Sequence, residues 1–239
     1  MNRRWLLLPA FVIVALIGVV VAMQLNSSPS SPPQAGPPAE IVPDAASEPT
    51  DATGERVAFY GDSYTLGTGA SDESKRWSTI VSEQRNWQEF NPSVNGLGFF
   101  NNRMDFNDGD LPSLVIKDDP DIVFITMGLN DNFSYNLAAD AIREQITVDF
   151  DRLATALPSA HFIVVEPFWY TDERPESLGV ISGWVEDAAA DIGADYISGA
   201  SHWIEGHPEW MADDGLHPND LGYAEMAKRM DEELDALGV

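Results

Sequence analysis

Short apolar runs that alternate with segments of helical periodicity constrain the fold of this chain most strongly. The clear apolar runs are residues 56–60, 121–128, 161–167 and 194–199, and a weaker one lies within 87–96. Apolar residues recur at helical spacing in 73–85, 136–157, 177–193 and 220–237. Strands that alternate with helices predict a three-layer α/β/α sandwich around a mostly parallel sheet of about five strands.

The N-terminal segment stands apart from this pattern. Arg3 and Arg4 precede an uncharged apolar stretch, residues 5–25, which has about the length of a helix that crosses a bilayer. We expect residues 1–25 to be an N-terminal transmembrane anchor. The alternative is a cleaved signal peptide, because "VVA" at 20–22 offers a weak cleavage site. The arginines favour a cytoplasmic N-terminus and an extracytoplasmic location, in the cell envelope, for the rest of the chain.

The remainder divides into a spacer and one domain. Residues 26–54 are rich in Pro, Ser and Ala and show no hydrophobic period. This composition is typical of a disordered or extended linker, which would hold the domain off a membrane or within a cell wall. Residues 55–239 carry the alternating pattern and form the predicted domain.

Charge and cysteine content exclude several function classes. The chain has 39 acidic and 13 basic residues, for a net charge of −26, which disfavours a nucleic-acid partner because phosphate binding needs Lys and Arg. It has no cysteine. Disulfides, a thiol nucleophile and cysteine-ligated zinc are therefore excluded.

The first strand ends in a turn that could carry chemistry. Active sites of parallel sheets lie outside the carboxyl ends of the strands, and Ser63 stands directly after the first one. Ser63 could be a nucleophile, or it could be an ordinary turn residue. We expect Asp62 to cap nearby backbone amides.

Two further strand ends carry candidate donors. Gly96 and Gly98, in the stretch 95–102, could turn backbone N–H groups toward a ligand, or they could form a plain turn. Asn130 follows the third apolar run and could cap the next helix. Its side-chain amide could also stabilise a developing negative charge. Asp131 is more typical of a helix start than of a second catalytic acid.

An acid and a histidine precede the last helix. Asp214 and His217 are three residues apart, so one tight turn can bring carboxylate and imidazole together. A carboxylate that holds one ring nitrogen leaves the other to accept a serine proton. A metal site at Asp213, Asp214 and His217 is disfavoured because no second histidine stands at ligand spacing.

The order of these blocks resembles the SGNH hydrolase family, also called GDSL-type esterases and lipases. The blocks are "GDSYTLG" (61–67), the glycine turn, "GLND" (128–131) and "DGLHPND" (214–220). The resemblance covers residues 56–237, and Tyr64 stands where the family's name has Leu.

The resemblance assigns a role to each candidate. Ser63 would be the nucleophile, His217 the general base and Asp214 the residue that orients it. The oxyanion hole would consist of the Ser63 N–H, the Gly98 N–H and the Asn130 side chain, with Gly96 as the alternative to Gly98. No metal or organic cofactor is implied.

We therefore expect an extracytoplasmic serine ester hydrolase that forms an acyl-serine intermediate. Its expected substrates are short acyl esters, such as acetyl groups, on cell-envelope or plant glycans. A lipase or lysophospholipase and an acyltransferase are alternatives on the same triad. A non-catalytic glycan-binding domain is an alternative on the same fold. A nucleotide-binding domain at "GTGA" (67–70) is disfavoured, because this stretch does not directly join a strand to a helix.

Some aromatic and histidine residues have open roles. The aromatic residues after the second and fourth strands could line an acyl or sugar pocket or pack in the core: Phe99, Phe100, Phe168, Trp169 and Tyr170. We expect His161 to be structural. For His202 and His207, a surface or loop position is favoured over a place in a pocket.

Overall fold

The computed structural model describes residues 53–103 and 109–239. Its centre is a five-stranded sheet with the order β2-β1-β3-β4-β5, and every neighbouring pair is parallel. The strands are β1 Arg56–Gly61, β2 Gln88–Phe90, β3 Ile122–Thr126, β4 His161–Val165 and β5 Asp195–Ile197. The predicted sheet is confirmed, and every strand after β1 is shorter than its apolar run.

Helices cover both faces of this sheet. The α-helices are α1 Ser63–Leu66, α2 Trp77–Gln84, α3 Leu111–Asp118, α4 Tyr135–Ala156, α5 Glu176–Ile192 and α6 Asp220–Leu237. Short 3-10 helices are Glu73–Lys75, Asn130–Phe133, Ala200–His202 and Pro208–Trp210. The fold is thus the predicted three-layer α/β/α sandwich.

The strands supply side chains to two separate cores. Val57 and Phe59 of β1 pack in the core that holds α2 and α6. Ala58 and Tyr60 face the opposite core, beneath α3, α4 and α5. Because β1 and β3 are buried on both faces, their sequences are nearly continuous apolar runs rather than alternating ones.

The helices differ from the sequence prediction in two places. The sequence prediction omitted α3, which has two start signals: Asp110 Oδ1 accepts the Ser113 N–H at 3.0 Å, and Pro112 lies in the first turn. The predicted helix over 73–85 is divided, because Arg76 is extended (φ −70°, ψ 147°). Only residues after Arg76 form α2.

The predicted anchor lies outside the described residues, as does the spacer up to residue 52. Within 53–103 and 109–239, no helix is both long enough and apolar enough to cross a membrane. The end of the predicted spacer joins the domain, since the Gly54 N–H donates to Asn86 O at 3.1 Å.

A buried ionic network ties α4 to the loop after β2. Asp149 is fully buried and accepts from Arg103 Nη1 at 2.7 Å and Nη2 at 2.8 Å. The Tyr60 hydroxyl donates to Asp149 Oδ2 at 2.6 Å. A second acid, Asp110, contacts Arg103 Nη2 at 2.8 Å. The carboxylate of Asp149 therefore binds both Tyr60 of β1 and Arg103 of the loop after β2.

We predict that Asp149→Ala lowers the free energy of unfolding by about 3 kcal/mol, because a guanidinium and a hydroxyl lose their partner in a dry site. Urea unfolding of the full chain measures the change. Asp151→Ala, on the exposed side of the same helix, is the matched control and should leave stability within about 0.5 kcal/mol. Equal losses in the two variants would contradict the assignment.

Candidate active site

The end of β1 is shaped for a sharp turn against β3. A Cβ on Gly61 would lie 2.5 Å from Thr65 Cβ and 2.6 Å from Thr126 Oγ1. The two threonine hydroxyls are hydrogen-bonded at 2.6 Å. Only glycine permits this close approach, so the chain can leave the strand and begin α1 at once.

Asp62 caps this turn, as the sequence predicts. Its Oδ1 accepts the Tyr64 N–H at 3.0 Å, and only 1% of the residue is exposed. Burial raises the pKa of Asp62 to about 7, although the Tyr64 amide opposes the change. The carboxyl group therefore sits in a dry site directly beside the candidate nucleophile.

Ser63 is the first residue of α1 and is 5% exposed. Its carbonyl accepts the N–H groups of Gly67 and Thr68, each at 3.0 Å. Within the part of the chain that the structure describes, the Ser63 N–H has no hydrogen-bond acceptor. This amide is thus available to an incoming oxygen.

His217 and Asp214 form the predicted acid–imidazole pair. His217 Nδ1 lies 2.7 Å from Asp214 Oδ2. Asp214 Oδ1 also accepts the N–H groups of Leu216 at 2.9 Å and His217 at 3.0 Å. Burial acts to raise the pKa of Asp214, but these hydrogen bonds outweigh it and lower the pKa to about 2. Asp214 therefore remains ionised at neutral pH.

The loop from Asp214 to His217, here called the histidine loop, packs against the turn that carries Ser63. The Tyr64 hydroxyl donates to Leu216 O at 2.7 Å, and the Tyr64 and His217 rings are 6.0 Å apart. A Cβ on Gly69 would lie 3.1 Å from His217 Cβ. Tertiary packing thus brings His217 against Tyr64, the residue after Ser63, although no hydrogen bond joins Ser63 and His217 within the described residues.

The stretch 95–102 after β2, here called the glycine loop, reaches the turn that carries Ser63. Gly98 donates its N–H to Asn101 O at 2.9 Å. The Gly96 N–H has no acceptor among residues 53–103 and 109–239, and Gly96 has a φ of +71°. Thr68 Oγ1 donates to Asn95 Oδ1, which places the residue before Gly96 next to the end of α1.

Asn130 lies between this loop and Asp62. It caps neither the 3-10 helix, which has Leu129 at its N-cap, nor α4, which begins after Ser134. Its Nδ2 donates to Leu97 O at 2.9 Å and to Asp62 Oδ2 at 3.2 Å. The side chain is therefore held by contacts on both sides of the site.

The remaining aromatic candidates are mostly core residues. Phe99, Phe168 and Trp169 are at most 4% exposed. Tyr170 is partly buried, and Phe100 is 41% exposed. Phe133, which the sequence analysis did not single out, is 57% exposed and follows Asn130 by three residues.

The other histidines are paired away from Ser63. His161 Nε2 contacts Asp195 at 2.7 Å, while His202 and His207 contact Glu205 and Glu209. Across the described ranges, no three acidic or histidine side chains converge as metal ligands.

We predict that Asp62→Asn changes how stability depends on pH. Folded Asp62 holds its proton up to about pH 7, whereas the unfolded chain releases it near its ordinary value of 3.8. Its stabilising contribution is therefore present at low pH and is lost as pH rises toward 7. Relative to Asp62→Asn, which keeps a capping oxygen, the natural chain should lose about 1.4 kcal/mol per pH unit over this range.

Urea unfolding at about pH 5, 6 and 7 measures this difference in the free energy of unfolding. Asp72→Asn is the control, because Asp72 caps an exposed turn with a 3.0 Å bond from the Ser74 N–H, and hydrogen bonds from Ser74 lower its pKa. Its difference from the natural chain should stay constant, and a constant difference for Asp62→Asn would refute the assignment.

Three known proteins resemble this chain, one in sequence and two in fold. The GDSL lipase Rv0518 of Mycobacterium tuberculosis is 27% identical over 187 residues, which cover 73% of this chain and 79% of the relative. The esterase EstA from Pseudoalteromonas sp. superposes with a TM-score of 0.60 at 16% identity, over 77% of this chain and 98% of EstA. A variant of Axe2, an acetyl xylan esterase from Geobacillus stearothermophilus, gives 0.55 at 16% identity, over 76% and 94%.

The sequence model of the GDSL-like Lipase/Acylhydrolase family matches residues 59–225. This range begins in β1 and ends in α6, so it contains all four sequence blocks of the candidate site. The two solved structures share the fold, and the family match covers well over half of the chain. The chain therefore belongs to the GDSL-like lipase/acylhydrolase family, whose members are hydrolases that act on ester bonds.

Proposed function

We propose that this protein hydrolyses esters through a triad of Ser63, His217 and Asp214. The observation that carries the proposal is the 2.7 Å contact between His217 Nδ1 and Asp214 Oδ2, on a loop that Tyr64 ties to the Ser63 turn. Nδ1 then carries the hydrogen, and Nε2 is left as the proton acceptor.

The chemistry follows from this tautomer. His217 Nε2 takes the proton from Ser63 Oγ, which attacks the acyl carbon and forms a tetrahedral oxyanion. His217 then gives the proton to the leaving alcohol, and the acyl–Ser63 ester remains. Water, deprotonated by the same nitrogen, attacks this ester and releases the acid.

We assign the oxyanion donors to the Ser63 N–H, the Gly96 N–H and Asn130 Nδ2. Gly96 takes the place expected for Gly98, because the Gly98 N–H is already bonded to Asn101 O at 2.9 Å. Asn130 can exchange its longer bond, 3.2 Å to Asp62 Oδ2, for the oxyanion. Each such donor commonly contributes about 3–4 kcal/mol in the transition state.

We predict that Ser63→Ala and His217→Ala each lower kcat for ester hydrolysis by on the order of 10⁴-fold, because proton transfer and acyl transfer act as one unit. Nitrophenyl acetate hydrolysis by the full chain measures the loss. Two controls lie outside the site: His161→Ala, at the amino end of β4, and Ser82→Ala, in α2. Both should retain activity, and unchanged turnover in Ser63→Ala would sink the mechanism.

We further propose short acyl esters of envelope or plant glycans as substrates, with the domain held outside the cytoplasm by residues 1–25. The tether-like N-terminal sequence supports this location, and Axe2, which shares the fold, is described as an acetyl xylan esterase. A longer acyl chain is the second candidate. It is favoured by the exposed apolar residues Phe100, Phe133 and Leu137, which are 41%, 57% and 95% exposed.

We predict that kcat/KM is highest for acetyl and falls as the acyl chain lengthens across a nitrophenyl ester series. Phe133→Ala is the informative variant. If an apolar chain rests on Phe133, the variant should lose about tenfold on long esters and little on acetate. Activity that rises with chain length would contradict the short-acyl proposal and support a lipase-like role. Acyl transfer to an added sugar would identify an acyltransferase.

A further inference from the structure

Asp131 is a buried carboxylate whose hydrogen bonds all reach into the glycine loop. It is 0% exposed and accepts the Phe99 N–H at 2.7 Å, the Phe100 N–H at 2.9 Å and the Asn101 N–H at 3.1 Å. Three consecutive amides thus bind one side chain. Burial raises the pKa of Asp131, and the three hydrogen bonds oppose that rise. A turn has one hydrogen bond where this contact has three, so the contact fixes the loop more firmly.

The Asp131 carboxylate leaves no room for a side chain at Gly98. A Cβ there would lie 2.5 Å from Asp131 Oδ2, and Gly98 is not among the residues with positive φ. The glycine is therefore required for close approach, while its backbone conformation is open to any residue. This separates Gly98 from Gly96, whose φ is +71°.

Asn101 extends the contact to Gly96. Its backbone N–H is held by Asp131, and its side-chain Nδ2 donates to Gly96 O at 3.0 Å. The Ser134 hydroxyl donates to Asn101 Oδ1 at 2.6 Å, so the side chain has one orientation. On the other side, Asp131 directly follows Asn130. One carboxylate is therefore connected to both proposed oxyanion donors outside α1.

We propose that Asp131 is a positioning residue that sets the distance between the Gly96 N–H and Asn130 Nδ2 in the oxyanion hole. The proposal rests on the proposed esterase function. Asp131 does not contact the reacting atoms. It holds the loop that carries one donor against the turn that carries the other, so the separation of the two donors is already set when the oxyanion forms.

The test compares Asp131→Asn with Gly98→Ala in the full chain. Asp131→Asn replaces an acceptor oxygen with an NH₂ group, which faces backbone donors. Gly98→Ala adds a methyl group that clashes with the Asp131 carboxylate, and so disturbs the same contact from the loop side. Each should lower kcat about 10- to 100-fold, as expected when a donor is displaced by up to an ångström. KM should change less than about threefold, because the substrate's ground state does not depend on the oxyanion donors.

The two variants should also be non-additive. Both break one contact, so the double variant should lose far less than the product of the single losses. Asp140→Asn, exposed on α4, is the control and should match the natural chain. Deuterium exchange of a peptide covering 97–103 should be faster in Asp131→Asn, while thermal unfolding shows that each variant remains folded.

The outcomes separate this proposal from the esterase function. Turnover that needs Ser63 but is equal in Asp131→Asn and the natural chain would overturn only the role of Asp131. Losses that multiply in the double variant, or a rise in KM with kcat unchanged, would also overturn it. A folded natural chain that hydrolyses no ester would overturn both.

Discussion

A buried carboxylate must find hydrogen-bond donors, and this requirement organises the site. Asp62, Asp131 and Asp149 are at most 1% exposed. Each accepts hydrogen bonds from a distant segment of the chain. The donors are Asn130 for Asp62, Phe99 to Asn101 for Asp131, and Arg103 for Asp149. The loop from Gly96 to Arg103 is therefore fixed at two points by hydrogen bonds to buried acids, in place of regular secondary structure.

Two acids of the candidate site, Asp214 and Asp62, differ in their surroundings, and so in the pKa of their carboxyl groups. Asp214 has a side chain that is 48% exposed, and its hydrogen bonds from Leu216 and His217 keep the pKa low at about 2. An ionised Asp214 is what the proposed triad needs to orient His217 and to offset the charge of the imidazolium. Asp62 is dry, and its pKa is raised to about 7. It serves the site as a cap and as a resting partner for Asn130.

The sequence predicted the sheet and the long helices, because these depend on short-range patterns. Apolar runs as long as a strand identify buried strands, and the order of blocks around Ser63, Asn130 and His217 is specific to the family. The sequence was less informative about the structure of the loops. Gly96 and Gly98 are alike in sequence, and only the contacts of Asn101 and Asp131 distinguish them. For the same reason Asp131 was interpreted as a helix-start residue, since its three partners are about thirty positions away.

By itself the sequence determined that the chain forms a parallel α/β sandwich of the GDSL-like family, since periodicity and motif order are local properties. The tertiary structure decided which loop amides are free and which polar side chains are buried. It also placed Tyr64 under the histidine loop through its 2.7 Å bond to Leu216 O. The burial of these acids and the place of Tyr64 depend on contacts between distant segments of the chain, and burial shifts the pKa of each acid only after those segments have met.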